Sequence, residues 1–80
     1  MKTTKITKKE IKNNVRTYKT LNGWSHEYIT GDDTLWYCHI NRFDPSQIVY
    51  AQSETGEAHN LADNTKSAFV DFLYDLENED

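Results

Sequence analysis

The 80-residue chain has one cysteine, one proline, one methionine and three glycines. A single thiol cannot close an internal disulfide. That excludes the stapled secreted scaffolds and makes a reducing cytoplasm the expected compartment. Three dispersed glycines exclude GxxxxGK[ST] and GxGxxG, the phosphate-cradling loops, which need several glycines for close backbone approach. No apolar run nears the roughly 20 residues that span a bilayer. The opening MKTTKITKKEIKNN carries lysines but no apolar signal-peptide core. A soluble, cytoplasmic protein with no membrane partner is expected.

Aromatic residues are plentiful. They make up 12% of the chain within an apolar fraction of 36%, too much for a disordered chain even at 28% charged residues. Trp24, Trp36, Phe43, Phe69, Phe72 and several tyrosines are the candidate core. Eighty residues make one domain (1–80), near the lower size limit for a single core, with 1–5 and 78–80 expected to fray.

Residues 6–11, ITKKEI, read as a helix start. Thr7 is the N-cap, Glu10 completes a capping box, and Ile6 can staple onto Ile11. The segment that follows reads two ways. Asn22-Gly23 is a hairpin signal that would make 15–21 a strand. Ile11, Val15 and Tyr18 instead fall at helical spacing, with Gly23 as the residue ending the helix. The helical reading, 8–21, is preferred.

Trp24, His26 and Tyr28 alternate along one strand, and Trp36, Cys38 and Ile40 along a second, around the turn Gly31-Asp32-Asp33. A three-residue loop with Gly31 free to take positive φ pairs Thr30 with Thr34, Tyr28 with Trp36, His26 with Cys38 and Trp24 with Ile40. FDPSQ suits a type I turn with Pro45 at its second position. IVYAQ is a third strand and EAHNL a candidate short edge strand. Thr65, Phe69, Phe72, Leu73 and Leu76 form the apolar stripe of a last helix, about 64–77. The expected class is α+β: α-β-β-β-(β)-α, an antiparallel sheet of three to four strands with both terminal helices on one face.

Cys38 and His39 are neighbours in sequence, but adjacent strand residues point to opposite faces and cannot readily share a metal or a proton. His26 opposite Cys38 is the sharper pair, at a cross-strand distance that suits two ligands of one zinc. A structural zinc needs four ligands, however, and one cysteine with three histidines, His59 among them, shows no zinc-module spacing. Asp32-Asp33 are accounted for by turn preference. Tyr18, Tyr28, Tyr37, Tyr50 and Tyr74 could stack bases, with Tyr37 and Tyr50 on strands the ones to follow. No cofactor, no metal and no catalytic residue is expected, and the chain does not read as an enzyme.

Charge is the most specific feature. Residues 1–19 hold seven of the nine bases and one acid, a balance of +6, whereas residues 20–80 hold two bases and twelve acids, −10. On a helix, Lys5, Lys8, Lys9, Lys12, Arg16 and Lys19 would share one arc. Asp71, Asp75 and Glu79 recur at i, i+4, i+8 on the last helix. Like charges at that spacing repel, so another helix or an external partner should compensate them.

The chain's size, its Asn/Thr/Lys/Tyr-rich usage and its acidic C-terminal part resemble small accessory proteins of phages and mobile elements, including inhibitors of host nucleases. The similarity is one of type and assigns no residue. The expected function is a protein-interaction module that docks Glu54, Glu57, Asp63, Asp71, Asp75, Glu77, Glu79 and Asp80 onto a basic or nucleic-acid-binding protein. The alternative is a nucleic-acid-binding accessory protein that uses the basic N-terminal helix.

Overall fold

The structure is a computed structural model that describes residues 6–44 and 46–78. Lys5, Pro45, Glu79 and Asp80 lie outside the described residues, and with them the expected fraying of 1–5 and, Asn78 apart, of 78–80. The elements are α1 (Lys8–Asn14), β1 (Arg16–Lys19), β2 (Gly23–Ile29), β3 (Leu35–Asn41), β4 (Tyr50–Ser53), β5 (Ala58–Asn60) and α2 (Lys66–Glu77). The strands form one antiparallel sheet in sequence order, β1-β2-β3-β4-β5. The class is α+β with two helices, but the sheet has five strands rather than three to four.

The extra strand comes from the segment that reads two ways. The helix starts as its capping box dictates: Thr7 Oγ1 accepts the Glu10 N–H, and the Glu10 carboxylate accepts the Thr7 N–H. It does not run to residue 21. The Asn14 side chain turns back to the Glu10 carbonyl at 2.8 Å, and Val15 is already extended at φ −74, ψ 123. The β-favouring residues of 15–20 then pair with β2 through the Asn22-Gly23 hairpin.

β2 and β3 adopt the expected register, Tyr28↔Trp36, His26↔Cys38 and Trp24↔Ile40, and Thr30 N–H donates to Thr34 O at 3.0 Å. Positive φ in this turn falls on Asp33 (φ 68), not on Gly31. Aspartate tolerates that region better than most residues. The bracketed edge strand exists as β5, paired through Ala51↔His59.

The core lies between α2 and one face of the sheet. Phe69, Leu73 and Ala51 are fully buried with Ile11 of α1, and Tyr28, Trp36 and Cys38 join them from the strands. Thr65 is the N-cap of α2, accepting the Ala68 N–H at 3.2 Å, and not part of the apolar stripe. Phe72 is half-buried, its ring 5.1 Å from that of Trp36. No described helix is long and apolar enough to cross a membrane.

Candidate protein-docking surface

Alternation along β2 and β3 decides the fate of the reactive-looking residues. His26 and Cys38 face each other on the core side and are buried, while His39 is exposed on the opposite face. Burial pushes the Cys38 thiol up to about 12, so it remains protonated and packs as a small apolar group. The His26 ring has Nδ1 3.0 Å from Thr17 Oγ1 and stacks 6.4 Å from Phe69. His59 sits elsewhere, against Trp36 at 5.9 Å and Phe72 at 5.5 Å. Among the described residues, no three histidine, cysteine or acidic side chains gather as a metal site would require.

Burial, then the charge of Lys66, lowers the His26 pKa below 6.5. Between the folded and unfolded values the unfolded chain binds more protons, so stability rises with pH there. The stability carried by the neutral ring is complete above about pH 6.5 and is lost as pH falls through the folded-state pKa. Urea denaturation at steps from pH 7.5 to pH 5 should show that decline, and His26→Gln should flatten it. An equal decline in the variant would assign the loss to carboxylates.

The acidic residues expected on one surface separate into three groups. Glu77 is used inside the fold. Its two oxygens accept the Gly31 N–H at 3.1 and 3.2 Å, and one accepts the Tyr28 hydroxyl at 3.0 Å. Burial and this carboxylate raise the Tyr28 pKa to about 12. Nothing local in the sequence marks Glu77 for this role, because its partners lie 46 and 49 residues away.

Glu54 and Glu57 flank the β4–β5 turn, where Glu54 accepts the Leu35 N–H at 3.1 Å. The third group shares a site. Asp63, Asp71 and Asp75 line an open groove of about 600 Å³ between α2 and the segment leading into it. Leu61, Ala62, Ala68 and Phe72 supply its apolar lining.

The basic residues do not form one arc, because the helix ends at Asn14. Lys8, Lys9 and Lys12 ride on α1, while Arg16 and Lys19 lie on β1, three positions apart and so on opposite faces of the sheet. Lys8 Nζ is 3.0 Å from Asp71 Oδ1 at the groove, both side chains more than half exposed. Asp71, with Asp75 adding to it, raises the Lys8 pKa. The first helix therefore lies beside the acidic one, and the exposed Lys8–Asp71 pair offsets part of the like-charge repulsion on each.

The sequence spacing located Asp71 and Asp75. It gave no sign that Leu61 and Phe72 would line the groove between them, since Leu61 comes from outside the helix. No protein-family model, curated protein or solved structure matches this chain.

Proposed function

We propose that the protein is a non-enzymatic interaction module of the cytoplasm whose α2 groove docks a basic segment of another protein. The observation that carries this reading is the grouping of Asp63, Asp71 and Asp75 around an apolar lining in one open groove. Carboxylates at intervals on a rigid helix meet lysine and arginine side chains, and Phe72 and Leu61 offer apolar area to their aliphatic stems. A phosphate-binding protein suits such a surface, because its groove already selects negative charge. An accessory or inhibitory role in a phage or mobile element would use that substitution of carboxylate for phosphate.

Asp71→Lys combined with Asp75→Lys is expected to abolish capture of basic proteins from a host lysate, read by quantitative mass spectrometry against wild type. Both side chains are exposed, and the Lys8–Asp71 pair that the change breaks is itself more than half exposed and worth only about 0–1 kcal/mol, so circular dichroism should show the fold retained. Unchanged capture by the folded variant rejects the groove. Duplex DNA binding by the wild type at physiological salt, falling steeply as salt rises and lost in Lys12→Glu with Arg16→Glu, would support the nucleic-acid reading instead.

A further inference from the structure

A sheet ends where a strand is paired on one side only, and among the described residues β1 and β5 are those ends. The two edges are built differently. β1 carries two basic side chains, Arg16 and Lys19, in four residues, and such charge blunts an edge against further pairing. β5 carries no charged side chain, and Ala58, His59 and Asn60 are all exposed. Its pairing with β4 leaves part of its backbone open. His59 stands opposite Ala51, Leu61 N–H donates to Val49 O at 2.8 Å, and Ser53 N–H donates to Glu57 O at 2.9 Å. Glu57, His59 and Leu61 therefore turn their backbone groups toward β4. Ala58 and Asn60, between them, turn theirs away, so two N–H and two C=O groups face outward. The α2 groove adjoins this edge: Asn60 and Leu61 line it from one side and Phe72 from the other. The Phe72 ring lies 5.5 Å from that of His59, which places α2 over β5.

We infer that the basic segment occupies the α2 groove as an extended strand, added antiparallel to β5 as a sixth strand of the sheet. The inference rests on the groove reading above and states the conformation its occupant takes. Backbone chemistry selects that occupant. Donors and acceptors at strand spacing are matched by an extended polypeptide and not by a nucleic acid or a small anion. Charge selects its side chains. Asp63, Asp71 and Asp75 are the charged residues of the groove lining. Lys8 meets Asp71 from α1, but Asp63 and Asp75 are in no ion pair among the described residues. A second β5 would bring no cation to them.

Strand alternation sets the sequence pattern. His59 points to the α2 side, where its ring meets Trp36 and Phe72, so Ala58 and Asn60 point to the other face. A partner residue opposite Ala58 or Asn60 shares that face and exchanges both backbone bonds with it. The residues between then project lysine or arginine into the groove.

The probe is an end-blocked peptide of about seven residues alternating lysine and threonine, titrated to about 1 mM into isotope-labelled protein. Amide hydrogen exchange, read by NMR, should slow at least about fivefold at Ala58 and Asn60. Methylating the threonine amides removes the donors aimed at β5 and should weaken binding at least about tenfold, whereas methylating the lysine amides should leave it unchanged. Ala58→Pro, and separately Asn60→Pro, removes an outward donor that β4 does not use and should weaken binding about tenfold with the urea midpoint retained. The methylated peptides test the same bonds on the wild-type protein, whatever proline does to β5. Equal or reversed effects of the two methylations, or unchanged exchange at Ala58 and Asn60, overturns the added strand. So does slowing of that exchange when the protein alone is concentrated, which gives the edge to a second copy. If a helix-forming peptide of lysine and alanine binds instead and is lost in Asp71→Lys with Asp75→Lys, the strand is overturned and the groove reading stands. Binding of neither peptide overturns both.

Discussion

Replacing Phe69 with alanine should lower the unfolding free energy by about 3–5 kcal/mol. Its side chain is fully buried and the largest of those so enclosed, and it bears on the His26 ring from α2. Truncation removes the transfer energy of a phenyl ring and leaves a cavity that the sheet cannot fill. In an 80-residue domain with a core of this size, total stability is itself only about 3–5 kcal/mol, so the variant should be largely unfolded at room temperature. Urea denaturation followed by circular dichroism measures it. Phe69→Leu gives a folded reference with a smaller loss. Phe72→Ala should cost less than Phe69→Ala, since Phe72 is half-buried and lines the groove. A loss below about 1 kcal/mol for Phe69→Ala would mean that α2 does not hold the core.

Gly23→Ala should be comparably damaging for a different reason. A β-carbon at residue 23 would sit 1.9 Å from the Ile40 carbonyl oxygen and 2.9 Å from the Arg42 amide nitrogen. Both are backbone atoms of the neighbouring chain segment, so no rotamer change relieves the contact. The pairing Gly23↔Asn41 and the bond from Arg42 N–H to Asn22 O, 2.9 Å, would have to open. That end of the sheet joins β1 to β2 and β2 to β3, and the expected cost is about 3 kcal/mol or more, beyond ordinary overpacking. Gly31→Ala is the matched control, because its nearest neighbours are the Glu77 carboxylate oxygens at 3.7 Å, an ordinary contact. Equal midpoints for the two variants in thermal denaturation would contradict the close approach at Gly23.

The same glycine shows where the sequence misleads. Ile11, Val15 and Tyr18 keep helical spacing, yet only Ile11 and Val15 are buried together, and Tyr18 turns to the open face of the sheet. Spacing by four and then three cannot tell a long helix from a short one followed by a strand that reuses the last apolar residue. The Asn-Gly pair held the answer, but glycine serves both as a helix stop and as a strand residue where chains approach closely. The β2–β3 register was legible because a strict alternation and a three-residue loop leave one arrangement that buries Tyr28, His26, Trp36 and Cys38. The capping box at Thr7 was legible because it is wholly local. The groove was half legible: spacing gave Asp71 and Asp75. Glu77, only two residues beyond Asp75, belongs to a different environment because its partners were distant in sequence.

The strand order β1-β2-β3-β4-β5 means that each strand pairs only with its chain neighbours, so the whole sheet is a series of short loops closed one after another. The helices supply the long-distance connections. α1 meets α2 at Lys8 and Asp71, the Asn78 side chain reaches the Ile6 carbonyl at 3.2 Å, and Glu77 grips Gly31. Residues 72 apart thus close the chain into something near a ring, with a seam between the helices. The configurational entropy cost of forming this topology is concentrated at that seam and along the underside of α2, while the sheet itself forms through contacts of low order.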